Sequence, residues 1–272
     1  MAGYSEQLAH WCANLKFSDL PADVVASTKL RVLDVIGLAL AAVDMPTGKS
    51  VRAAANAMGT GSDARVVGTG ERLPAMQAAL ANGTMAQALE YDDTHNETVI
   101  HISSPMVATA LAVGEMVNAS GEQVLTAIAA GNELPCRIGL VAPQQFHKVG
   151  FHPSGVIGTF GTAFTAAKLL GMTPLQMRNA AGIAGSQASG ILACWEDGTQ
   201  SKFLHPGWSA LSGIAALTVA SIGFIGKLFA EAIEEISLKQ VEAVRATGAP
   251  FMNVITYGVL PQVFGRFLGF AT

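Results

Sequence analysis

The chain has 272 residues, of which 50% are hydrophobic, only 7% aromatic and 13% charged. Apolar content made mostly of small and aliphatic side chains suits close-packed helices better than a β-sandwich, and predicts an all-α fold. A formal net charge of −4 and a pI of about 5.8, with no long basic run, argue against nucleic acid as a partner.

The N-terminal MAGYSEQLAHW lacks the basic and apolar regions of a signal peptide. Residues 5–16 read as a short helix stopped at Ser18–Pro21, and Pro21 opens a second helix over 21–43. Pro46-Thr47-Gly48 reads as a break before a helix over 49–58, and Ala64–Gly68 as a short strand. The glycines of GTGSDARVVGTG have no strand–GxGxxG–helix context, so a turn-rich excursion outranks a phosphate cradle. A helix from Leu73-Pro74 to Leu89, one opened by Pro105 and running to Asn118, and one over 121–140 kinked at Pro135 follow. Residues 143–151 read as a polar loop, 154–170 as a Gly/Ala-rich helix stopped by Gly171, and 174–188 as the next helix. His205-Pro206-Gly207 passes as a turn before a helix over 208–222. After Gly223 the texture changes: Lys227–Val244 is a clean amphipathic helix, broken at Ala246–Pro250 and followed by an apolar tail.

Cys12, Cys136 and Cys194 are widely spaced and fit neither a zinc site nor a disulfide framework, which points to a reducing, cytoplasmic compartment. Phe203–Gly226 carries no Asp, Glu, Lys or Arg and is long enough to weigh as a membrane span. Its His205, Pro206, Ser and Gly residues favour a buried helix instead.

The chemistry concentrates in three polar segments of a sparsely charged chain. LEYDDTHNETVIHISS, residues 89–104, holds Glu90, Asp92, Asp93, Thr94, His95, Glu97 and His101. FHPSG holds His152, and EDGTQSKFLHPG holds Lys202 and His205. Two imidazoles and an ammonium converging on one pocket suit a small polycarboxylate. Lys202 would neutralise a carboxylate, and an imidazole would move a proton at the carbon beside another. Taken singly, each His also fits a core or capping role and Lys202 a surface charge. Asp92, Asp93 and Glu97 loosely resemble the aspartate-rich magnesium motif of isoprenoid synthases, but the second acidic cluster is only Glu196-Asp197. Asp92, Asp93, His95 and His101 match no closed set of metal ligands by spacing.

At NGTMAQALEYDDTHNETVIHISSP, GFHPSGVIGTFGTAFTAAKLLGM and SQASGILACWEDGTQSKFLHPGW the sequence resembles the MmgE/PrpD family, over residues 1 to about 217. That family includes 2-methylcitrate dehydratase, cis-aconitate decarboxylase and iminodisuccinate epimerase. The resemblance implies a large all-α domain followed by a smaller α+β lid, with the active site between them. It implies that His101, His152 and Lys202 are catalytic or substrate-binding, and that Glu90, Asp93, Thr94 and His205 line the site. The implied chemistry is proton abstraction beside a carboxylate, followed by loss of water, loss of CO2 or epimerisation. No metal or other cofactor is expected, and a homodimer would follow the family habit.

The expected lid sequence is replaced. IGFIGKLFAEAIEEISLKQVEAVRATGAPFMNVITYGVLPQVFGRFLGF resembles the membrane permease of phosphonate ABC transporters. The predicted organisation is therefore a truncated MmgE/PrpD-type helical domain over 1–221 joined to a permease-like fragment over 222–272. Loss of the lid would impair turnover by opening the site to water. The alternative is a membrane-associated transport component that docks on an ABC ATPase through Glu242–Ala249, or a helical relic without turnover.

Overall fold

The computed structural model describes residues 3–234, 238–250 and 253–254. They are overwhelmingly helical, as the composition predicts, and no helix among them is long and apolar enough to cross a membrane. Two compact units part between Val219 and Ala220. The first contains helices α1 (Tyr4–Asn14), α2 (Ala22–Ala42), α3 (Pro46–Ala57), α4 (Ala75–Gln87), α5 (Ser103–Met116) and α6 (Gly121–Leu140). The short α7 (Gln145–Lys148) and α8 (Pro153–Val156) lead to α9 (Gly158–Leu169), α10 (Pro174–Gln187) and the short α11 (Cys194–Asp197). Helix α12 spans Ser201–Glu234, and α13, Leu238–Ala246, belongs to the second unit.

At the centre, α4 and α5 pack together, with α2 and α3 against α4 and α9 against α5. Helix α6 lies along both α5 and α9, and α10 covers the far side of α9, with α1 against it. Almost every residue of α4 and α5 is buried, so neither helix shows a polar face. Their length and Ala/Gly/Ser/Thr content, not amphipathic spacing, mark them as core helices. Small side chains let helix axes come close. The Cα of Gly207 in α12 meets Gly83 in α4 so tightly that a Cβ on Gly207 would lie 2.2 Å from Thr84 Oγ1 and 2.3 Å from the Leu80 carbonyl oxygen.

Several sequence expectations are corrected. Pro46 does not break the chain but occupies the first turn of α3, where its missing N–H costs nothing. Arg72–Leu73 is a strand, pairing antiparallel with Ala64–Arg65; its two residues are too few to show alternation. Helix α5 begins two residues before Pro105. The 154–170 helix is two segments, α8 and α9, and the 143–151 loop contains α7. His205-Pro206-Gly207 is not a turn: Pro206 sits in the second turn of α12. The Lys227–Val244 helix falls across the end of α12 and the start of α13, with residues 235–237 outside the described set. Ser120 and Thr173 do cap α6 and α10, each in a reciprocal box with a glutamine three residues on.

The α4–α12 contact yields a paired prediction. Gly207→Ala should destabilise the protein by about 1–3 kcal/mol, because backbone atoms must shift to admit the methyl group. Gly182→Ala in α10, where nothing lies within 4 Å, should instead stabilise it by about 0.4–1 kcal/mol. Urea denaturation of both variants reads the difference; equal effects would refute the close-approach account.

Candidate active site

The polar segment between α4 and α5 is held by two adjacent carboxylates that turn opposite ways. Asp93 accepts from the backbone N–H of Ser103 at 3.0 Å and from its hydroxyl at 2.7 Å. It is also ion-paired with Arg31 of α2, which donates to Ser103 Oγ at 3.3 Å. A carboxylate at the first turn of α5 satisfies an orphan N–H and complements the helix dipole. Asp92 points into the core, where its Oδ2 accepts from Ser104 at 2.5 Å. Its Oδ1 is buried without a hydrogen bond and stands 3.4 Å from His101 Nδ1. The loop between is tight: His95 N–H donates to Ile100 O, and Val99 N–H to His95 O. Val99 pays for it with a φ of +54°, a costly conformation for a β-branched side chain.

His101 is fixed from both sides. Its backbone N–H donates to Ser154 Oγ at 3.0 Å, and its Nδ1 lies 3.2 Å from Thr94 Oγ1. Asp92 and Thr94 oxygens both face Nδ1, and with the proton on that nitrogen Nε2 is the basic atom. Burial raises the Asp92 carboxyl above the usual range, outweighing the lowering by His101 and Ser104.

His152, only 1% exposed, precedes α8, and its N–H donates to Gly190 O at 3.0 Å. Its Nδ1 lies 2.9 Å from Nδ1 of His205, which α12 presents one turn beyond Lys202. That separation admits a single proton, so one ring donates and the other accepts. The two cannot both be cationic in this geometry. Burial first, then the positive charges of neighbouring groups led by His205, push His152 down to about 2. Burial and then Lys202 lower His205. The His152 ring stands 5.8 Å from that of His101. Lys202 Nζ forms an ion pair with Glu90, whose φ of +57° turns it back over the end of α4.

Ser209 of α12 ties these segments together, donating to the carbonyls of Ser154 and Gly155 at 3.0 Å each. The structure thus brings together Glu90, Thr94, His101, His152, Lys202 and His205. It does not bring Asp93 among them; the carboxylate beside His101 is Asp92. Sequence reasoning also passed over Arg31, Ser154 and Ser209. The doublets Asp92-Asp93 and Ser103-Ser104 were the available signal, since neighbouring side chains must diverge and each acid has one serine to meet. His95 faces away, bonded to Thr98 Oγ1 at 2.8 Å and Glu97 at 3.1 Å. Asp92, Asp93, His95 and His101 therefore serve three different contacts, and among the described residues no group of three or more His, Cys, Asp or Glu is arranged to hold a metal.

The neutral His152 makes stability depend on pH. The unfolded chain protonates this imidazole near 6.5, the folded one only at about 2. Between those values the unfolded state binds more protons, so stability is lost as pH falls from 6.5, by up to ~1.4 kcal/mol per pH unit. His152→Gln should flatten that limb of the stability–pH curve in urea titrations; an unchanged slope would mean that the ring is charged in the fold.

The MmgE/PrpD N-terminal domain model matches residues 6–235. A cis-aconitate decarboxylase of Aspergillus terreus is 31% identical over 229 residues, 82% of this chain and 46% of that protein. The mouse cis-aconitate decarboxylase is 30% identical over 233 residues, 82% of this chain and 46% of its own. The chain thus spans about half the length of these curated relatives. Separately, a phosphite transport system permease protein of Stutzerimonas stutzeri is 51% identical over 61 residues, 22% of either chain. With the family model covering most of its length, the chain belongs to the MmgE/PrpD family.

Proposed function

We propose that this chain provides the helical half of a lyase or isomerase site for a small polycarboxylate. The observation that carries the reading is the convergence of Lys202, His101 and the His152–His205 pair from three separate segments. Family membership, with relatives named as cis-aconitate decarboxylases, supports it. Lys202 exchanges Glu90 for a substrate carboxylate. His101, its Nδ1 proton held toward Asp92 and Thr94, takes or returns a proton through Nε2 at the carbon beside a second carboxylate. His152 and His205 stay uncharged and donate or accept hydrogen bonds without repelling the proton on His101. Loss of water, loss of CO2 and epimerisation all begin or end with such a proton transfer, so the choice among them rests on the rest of the pocket.

We further read the C-terminal residues 222–272 as a permease-like fragment fused to this domain, a reading supported by the short match to the phosphite permease. The same match favours a second reading, a transport component that contacts an ABC ATPase through Glu242–Ala249. Copurification of the chain with a phosphite-transporter ATPase would favour it; a chain that never captures the ATPase would remove it.

For the main reading, wild-type protein should bind citrate or cis-aconitate in calorimetry. Lys202→Ala should weaken binding by about tenfold or more, through loss of a charge-assisted contact. Where turnover of cis-aconitate, 2-methylcitrate or iminodisuccinate is detected, His101→Gln should lower kcat by about 10²–10⁴-fold with little change in binding. Failure of every polycarboxylate to bind the wild type would sink the proposal.

A further inference from the structure

Beside the cluster stands an imidazole that neither the sequence nor the proposed chemistry uses. His147, on α7, stacks on Trp195 of α11 with ring centroids 5.6 Å apart and planes 15° from parallel. On its other side it meets His152 edge-on, at 6.5 Å. The two short helices that carry this stack are registered by a small ladder. Leu192 N–H donates to Gly150 O at 2.9 Å and His152 N–H to Gly190 O at 3.0 Å, with Phe151 bridged to Ile191. The ladder that seats His152 therefore also sets His147 and Trp195.

Three features set this pair apart from ordinary surface packing. Trp195 is 63% exposed, although one face of its ring is covered by His147. His147 Nδ1 is buried and has no hydrogen-bond partner. An orphaned ring nitrogen costs stability unless something else satisfies it. Burial, then the charges of His101 and Lys202, hold the ring below its ordinary pKa, so it shares the field of the same site. The His152 ring neighbours both that of His101 and that of His147.

We infer that His147, braced by Trp195, is a substrate-contacting residue that recognises a third carboxylate and so selects tricarboxylates over dicarboxylates. The inference rests on the polycarboxylate reading above and extends it. Lys202 and the His101 region already account for two carboxylates. A third, extending past His152, meets the His147 ring, which can donate from one nitrogen and turn cationic when an anion arrives. The charged and titratable groups around it are His101, His152 and Lys202; Trp195 covers one face of the ring.

The test is calorimetric binding of propane-1,2,3-tricarboxylate and of succinate to the full chain. His147→Gln should weaken tricarboxylate binding about tenfold and succinate binding by less than about twofold. Trp195→Ala should show the same selective loss, and Trp195→Phe, which keeps an aromatic face, should restore wild-type selectivity. Equal losses for both ligands would mean a structural role, and no loss for either would mean no contact; each overturns the inference while leaving the polycarboxylate reading intact. A wild type that binds neither ligand removes both.

Discussion

The site depends on one constraint: consecutive residues cannot point the same way, and Asp92 and Asp93 exploit this to pin one loop to two places. Asp93 turns outward to Arg31 and the first turn of α5. Asp92 turns inward to Ser104 and His101. Both anchors end on the same helix terminus, so the loop between α4 and α5 has little freedom to slide. The strain at Val99 is consistent with that, because a conformation costing a kcal/mol or more persists only where surrounding contacts over-determine it.

A second anchor comes from hydroxyl groups that link separate segments. Ser154 accepts from the backbone of His101, and its own carbonyl accepts from Ser209. Thr162 in turn donates to the Ser209 carbonyl at 2.7 Å. Each of these hydroxyls is buried, so each would cost stability if unpaired, and each instead fixes one of the three segments against another. The small residues of the core serve the same end. Helix α12 can carry both Lys202 and His205 into the site because Gly207 lets its first turns lie directly on α4.

The all-α class was legible because it follows from bulk composition. So were α6 and α10, which match the helices read over 121–140 and 174–188. Elements whose signal is not local were misread. Proline looks like a break in sequence whether it ends a helix or sits in its first two turns, so Pro46 and Pro206 pointed the wrong way. The strand at Arg72–Leu73 has no periodicity to show, whereas its partner Ala64–Arg65 falls within the strand read at Ala64–Gly68. In the site, imidazoles and the lysine were visible because charged and titratable residues are sparse here. Ser154, Ser209 and Arg31 were not, because a scaffolding serine or arginine differs from any other only by the partner it meets far along the chain.

The electrostatic arrangement also explains why Glu90 belongs beside Lys202. The Lys202 ammonium needs a counter-charge, and in this chain Glu90 supplies it. Glu90 is 42% exposed at its side chain while Lys202 is 13% exposed, so the acid is the partner that can swing into water. On the proposed reading an arriving carboxylate would replace one anion with another, keeping the partly buried cation paired throughout. That exchange avoids the desolvation penalty of an unpaired charge. On the proposed reading it would also leave specificity to the groups that meet the remaining carboxylates, among them the rings beside His152.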